Sequence, residues 1–290
     1  DRVVERTTEE RAPAAVASLA LSRKAERIVA GAPALLVATS EGARAEAAAK
    51  VRAQLTDMWG LVARLRAAGT DPAALGAIEP LVADLGRSLH GLDELVTSRL
   101  AAAQAQQLLL GRLSATMAGL QHLVTPEVFL LDSRLAAWRR SAAPGANGGP
   151  AATDMVSALA EFVPLQKAQL EFAAINDLLL RAAEASTVDE VRRLSVSIER
   201  SLGVLRGLIP NLDPRLQPEL LERVGELATL ASGPDGIPAA REHEIADLGR
   251  GEEVLAENLR LSDALTAAVD RLVASAEAEF AAAGADARRV

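Results

Sequence analysis

The chain has 290 residues, 50% of them hydrophobic but only 2% aromatic, and a net charge of −8. The length corresponds to about two domains or one elongated one, and the apolar share argues against disorder. Four Phe, two Trp, no Tyr and no Cys leave little for base stacking or an aromatic cofactor pocket and exclude disulfides and thiolate chemistry.

The acidic balance argues against nucleic acid and against an anionic membrane surface as partners. No apolar run approaches the roughly 18 to 20 residues that span a bilayer. The chain begins at Asp1, with neither an initiator Met nor a signal-peptide pattern, and reads as a piece of a longer protein.

Ala and Leu make up more than a third of the residues, and a helical period runs from end to end. A first helix is predicted over 1–30, with Pro13 near a helix start or at a kink. Gly31-Ala32-Pro33 breaks the chain, and a second helix follows over 34–68. After the turn at Gly69-Thr70, Asp71 supplies a cap and Pro72 a first-turn proline. They open a helix to about Leu123, with Pro80 as a candidate kink. Thr125-Pro126 repeats the signal and opens a short helix to about Arg140. Residues 141–150, SAAPGANGGP, form the one clear linker, because so many Gly and Pro make helix costly.

A helix over 153–185 follows, with a kink expected at Pro164. Ser186-Thr187 opens another to Leu208. Pro210, Pro214 and Pro218 lead into a helix ending near Ser232, and Gly233-Pro234-Asp235-Gly236 turns the chain. The last helix is predicted from about Pro238 to Ala283, about 70 Å at the usual rise per residue.

Two seams refine this. Ile78, Leu81, Leu85, Leu89, Leu92, Val96 and Leu100 fall in 3- and 4-residue steps, as do Leu261, Leu265, Val269, Leu272, Ala276 and Phe280. Their 3+4+4 blocks are eleven-residue repeats, which favour straight or right-handed packing. The fold class expected is therefore all-α, an elongated rod of stacked antiparallel helical bundles with long first and last helices. One bundle is expected from about 1–30, 100–140 and 255–290, next to a membrane. A second, membrane-distal bundle would take about 34–99 and 153–254. With an even number of passes, both termini would lie at one end.

Chemical motifs are sparse. His243 begins an H-E-x-x-H pattern but position 247 is Asp, and His243 with Asp247 gives two ligands where a metal site needs more. His90 and His122 stand alone on helices with no nucleophile nearby. The Gly145–Gly149 stretch lacks the Lys-Ser/Thr of a phosphate loop. Glu252-Glu253, Arg139-Arg140 and Arg192-Arg193 read as solvated helix charges. No metal or cofactor is expected. Asn176 and Asn258 lie in apolar helices, and Asn258 is the candidate polar residue fixing register at the seam. Gly31, Pro33, Gly249 and Gly251 interrupt the two terminal passes and are candidate hinge or switching positions.

Three stretches carry a resemblance. Leu21-Ser22-Arg23-Lys24-Ala25-Glu26-Arg27-Ile28 through Ala32-Pro33-Ala34-Leu35 resembles the opening of the periplasmic sensor domain of the trimethylamine-N-oxide sensor kinase (TorS) family. So does Leu85-Gly86-Arg87-Ser88-Leu89-His90-Gly91-Leu92 with Leu95-Val96 and Arg99-Leu100. The third runs from Ile237 through Arg241, Glu244 and Leu255-Ala256-Glu257-Asn258 to Val269-Asp270-Arg271-Leu272-Val273. Ile237-Pro238 departs from the pattern, which has an aromatic beside the turn. The resemblance implies a non-enzymatic helical sensor looped into the periplasm from an inner-membrane hybrid histidine kinase. It further implies a homodimer that reads a periplasmic binding protein, anchored only through segments outside this chain. Two other readings stay open. A chemoreceptor-type double bundle would bind a small organic acid between converging Arg side chains, and a soluble helical scaffold would not need termini at one end.

Overall fold

The computed structural model describes the backbone of residues 2–141 and 150–286, and side chains over 16–140 and 155–278. Residues 142–149, most of the expected linker, lie outside the described residues. The described chain is helical, with no strand: α1 (Arg2–Leu36), α2 (Glu41–Ala67), α3 (Pro72–Ser141), α4 (Pro150–Glu184) and α5 (Val188–Leu208) come first. A 3-10 turn at Ile209–Asn211, α6 (Gln217–Ser232) and α7 (Ile237–Asp286) complete it. The all-α expectation is met, with long first and last helices.

The chain divides into two compact units, residues 1–101 with 247–290 and residues 102–246. In the first unit α1, α2, the first part of α3 and the later part of α7 bury one core. Leu21, Ile28 and Leu35 meet Met58, Ile78 and Leu265 there, all at most 1% exposed. Gly251 stands against Leu36, while residues 19–26 of α1 line one groove with residues 266–277 of α7. These two helices therefore run antiparallel, and α1 starts at the end of the unit where α7 finishes.

The break expected at Gly31-Ala32-Pro33 is not there. The helix runs on to Leu36 because Leu21, Ala25, Ile28, Ala32 and Leu35 form one unbroken buried stripe. The turn comes later, where Ser40 caps α2 by accepting the Ala43 N–H at 3.2 Å.

A second correction concerns α3, which passes without interruption through Thr125-Pro126, where a new helix was expected to start. A buried face runs on either side of Pro126, with Leu120 and Val124 before it and Leu131 and Leu135 after it. Burial of about 1.5–3 kcal/mol for each such side chain outweighs the roughly 3 kcal/mol that one interior proline costs. Pro164 likewise lies inside α4.

The second unit packs the later part of α3, α4, α5, α6 and the opening turns of α7 around Leu120, Ile175, Leu179, Val191, Ile198 and Leu227. Here the start signals were read correctly. Thr187 Oγ1 accepts the Glu190 N–H at 3.3 Å, and the Glu190 carboxylate accepts the Ser186 N–H at 3.1 Å, a reciprocal cap.

The cores group residues differently from the expected bundles. Residues 34–99 share a core with α1 and the end of α7, and 102–140 pack with α4. The expected cut in α3 lies close to where the two units divide, but its two halves join the opposite partners.

The two α7 glycines differ in surroundings. A Cβ on Gly249 meets nothing within 4 Å, whereas one on Gly251 sits 2.4 Å from Leu36 Cδ1. Gly249→Ala is expected to stabilise the chain by up to about 1 kcal/mol through helix propensity. Gly251→Val should destabilise it by about 1–3 kcal/mol through overpacking. Thermal unfolding followed by circular dichroism checks both; a stabilised Gly251→Val would mean the α1–α7 contact is loose.

Candidate functional site

The structure scatters the residues that a chemical site would need. His243 is exposed, and the buried Asp247 carboxylate is engaged by Arg250. His90 is exposed beside Glu94 at 3.4 Å, and His122 is exposed on α3. Among the described residues no three His, Asp or Glu side chains gather to hold a metal. Arg139, Arg140, Glu252 and Glu253 are exposed, Asn176 is half-buried, and Arg192 reaches Glu242 at 3.5 Å. Among the described residues, the grooves between helices given by α1 with α7, α5 with α6 and α3 with α4 each hold a single Arg.

Gly31 and Pro33 lie within the continuous α1, and Gly249 and Gly251 within the continuous α7. Gly251 allows a close approach, since its missing Cβ leaves room for Leu36. Asn258 is fully buried in the first unit's core, and neither its amide nitrogen nor its oxygen has a hydrogen-bond partner. Buried polar atoms are nearly always paired, so this amide is the most unusual group of the first unit. It lies four residues before Ser262, which is also buried.

Several residues that carry the resemblance hold helix ends together. Arg99 donates to the Ala38 carbonyl beyond α1. Arg241 Nε donates to the Ala185 carbonyl just after α4 at 2.7 Å, and its guanidinium pairs with Glu244. Gln106 Nε2 donates to the Ala183 carbonyl at 3.0 Å. The bonds to Ala183 and Ala185 satisfy carbonyls that the C-terminus of α4 leaves free, and the bond to Ala38 satisfies one in the turn after α1. Sequence reading missed Arg44, which binds Glu41 through Nε at 2.8 Å and also pairs with Asp93 of α3. The hydrogen bond from Arg44 holds the Glu41 carboxyl below its usual pKa. The three-residue spacing from Glu41 to Arg44 was the available signal; Asp93 had none.

What the molecule offers outward is an apolar helix face. On α4, Val156, Leu159, Val163 and Leu170 are between 39% and 69% exposed. They are spaced 3, 4 and 7 residues apart, the heptad stripe by which one helix meets another. The opposite face of α4 buries Leu165, Ala168, Phe172, Ile175 and Leu179, so the helix is apolar on two sides. Leu130 of α3, also exposed, lines a groove of about 230 Å³ with Leu165, Arg134 and Glu161. Single exposed Leu residues are ordinary, but a periodic row of them marks a surface for protein contact.

No family model matches the chain, and no curated protein matches it. Solved structures do. The sensor domain of the histidine kinase sensor TorS from V. parahaemolyticus superposes with a TM-score of 0.72 at 16% identity, over 90% of this chain and 99% of that one. A TorS sensor domain crystallised with TorT in the presence of TMAO gives a TM-score of 0.77 at 18% identity, over 91% of this chain and 99% of that one. The chain thus shares the fold of these sensor domains along nearly its whole length, and the resemblance read from sequence holds at the level of fold.

Two stability measurements bear on these sites. Asn258→Leu replaces an unpaired buried amide by an apolar group of similar size and is expected to stabilise by about 1–3 kcal/mol; a loss of stability would show that the amide is hydrogen-bonded. For Glu41, the lowered folded pKa means that its pairing stabilises above the ordinary glutamate pKa and is lost as pH falls through the lowered value. The Tm difference between the wild type and Glu41→Gln should therefore be present near pH 7 and shrink as the pH falls below the ordinary glutamate range. A difference that grows in acid contradicts the assignment.

Proposed function

We propose that this chain is the extracytoplasmic sensor domain of a two-component hybrid sensor histidine kinase. It has no catalytic task of its own, works as a homodimer in the periplasm, and reads a periplasmic binding protein. The observation that carries this reading is the end-to-end likeness to sensor domains, one of them crystallised with TorT. The antiparallel α1–α7 pair supports it further. Because α1 begins where α7 ends, the first unit suits a segment looped out between two membrane helices, and we place it next to an inner membrane. No helix among the described residues is long and apolar enough to cross one, so the anchors belong to segments outside this chain.

The outer stripe of α4 is the surface we assign to the binding protein. A partner there acts on α3 and α7 through the second unit's core, and both helices continue into the first unit. To signal, the partner has to favour one of two helix arrangements by its differential affinity, and the result would be a small rotation or sliding of the terminal helices. Gly31, Pro33, Gly249 and Gly251 are the positions we propose for such adjustment, with Asn258 as the polar residue that sets register.

The parent protein tests the frame. Two apolar segments of about 20 residues flanking 1 and 290, with kinase motifs after the second, are expected in its full sequence. Polar flanks would overturn the reading in favour of a helical scaffold. For the partner, periplasmic solute-binding proteins of the same organism are titrated against the chain by calorimetry. One of them should bind, and Val163→Asp with Leu170→Asp should weaken it at least about tenfold while Tm stays unchanged. If none binds and thermal-shift screening instead finds a small organic acid, direct sensing replaces this mechanism.

A further inference from the structure

Helix α5 turns Val191, Leu194, Ile198, Leu202 and Leu205 into the second unit's core. Its opposite side is a second row: Arg193, Val196, Arg200, Val204 and Gly207 follow in steps of 3, 4, 4 and 3, with Gly203 beside them, all exposed. Val196 is 58% and Val204 45% exposed, so Arg200 has an uncovered valine one turn away on either side.

The two glycines have no explanation inside the chain. In mid-helix each costs stability relative to Ala. Neither has a positive φ, and a Cβ at either position would meet nothing within 4 Å. Gly119, by contrast, lies where a Cβ would come within 3.3 Å of Arg223. One turn apart on an exposed face, Gly203 and Gly207 form a shallow saddle that lets the backbone of another chain come close.

Charge says what sort of chain that is. The protein carries a net −8, yet this row presents two cations. Neither Arg193 nor Arg200 has a side-chain hydrogen bond or ion pair among the described residues, whereas their neighbour Arg192 reaches Glu242 and Arg181 of α4 reaches Asp177. The carboxylates of α5 are placed elsewhere. Glu190 caps the helix, and Glu199 faces the groove shared with α6, where Arg206 also lies. Asp189 stands one turn before Arg193, at the helix N-terminus, where the dipole favours a carboxylate. Arg200 is therefore a free cation between apolar neighbours, the setting in which a carboxylate from a partner binds most strongly once water is excluded.

The row also adjoins the face of α4 assigned above. Only residues 185–187 separate α4 from α5, and the two helices pack side by side, so they run antiparallel. Leu170, 14 residues before the end of α4, comes about level with Val204, 16 residues after the start of α5.

We propose that the binding protein extends from α4 onto α5 and lays an acidic helix along this row. Small side chains of that helix sit over Gly203 and Gly207, and its carboxylates pair with Arg200 and Arg193. The heptad steps of the row suit a helix as occupant. The proposal rests on the binding-protein reading and adds the chemistry of the segment that makes the contact.

The test is calorimetric titration of periplasmic solute-binding proteins of the same organism against variants of this chain. The complex formed by the wild type should weaken as salt is raised. Arg200→Glu should weaken it at least about tenfold and flatten that salt dependence. Arg206→Glu changes the net charge equally but lies off the row, and should leave binding unchanged. Gly203→Leu with Gly207→Leu should raise Tm through helix propensity and still weaken binding at least about tenfold, because the saddle is filled; a more stable chain that binds less well separates docking from folding. A complex that neither Arg200→Glu nor the glycine pair weakens overturns the α5 contact and leaves the α4 face in place. Equal weakening by Arg206→Glu and Arg200→Glu also overturns it, since net charge alone would then explain the loss. If no binding protein binds the wild type, the partner reading fails and the α5 contact falls with it.

Discussion

Burying one apolar face of each helix without interruption is the constraint on which this structure depends, because aromatic side chains contribute almost nothing to its cores. With 2% aromatic residues, stability comes from rows of Leu, Val, Ile and Ala, each adding a modest amount. Such rows lose their value if the helix breaks between two of them, since the residues past the break would face elsewhere. This is why α1 ignores Gly31 and Pro33, and why α3 ignores Thr125-Pro126. In each case several buried side chains on both sides outweigh one missing hydrogen bond.

The same constraint explains why helix ends are fastened by long polar side chains rather than by sequence-local caps alone. Where α4 stops, its last carbonyls are met by Gln106 and Arg241, and the turn after α1 is held by Arg99, all side chains distant in sequence. Losing such a donor would leave a half-buried carbonyl without a partner, which is costly. Arg99 and Arg241 belong to the stretches that resemble the sensor-domain family, so part of that resemblance is an architectural signature rather than a ligand-binding one.

Legibility in the sequence followed the range of the forces. The Thr187 cap, the turn at 233–236 and the buried rows from Ile78 to Val96 and from Leu265 to Leu272 were readable because local chemistry and helical period decide them. Breaks at proline were misread because burial on the far side of a proline is a tertiary effect that no window of local preference contains. The partners of the two halves of α3 were misassigned for the same reason, since which helices share a core is decided by tertiary packing. Of the interaction sites, Asn258 was visible as a polar residue in an apolar row. The α4 outer face was not noticed, although its Val156–Leu170 spacing was present: a helix apolar on both sides gives almost no amphipathic contrast.

That double-sided character of α4 separates what the fold needs from what it uses. Its inner row, from Leu165 to Leu179, already fills the core, so Val156, Leu159, Val163 and Leu170 add comparatively little to folding and favour aggregation while exposed. An isolated helical bundle has no use for that exposed row, which is why it stands out as a surface for contact with another protein.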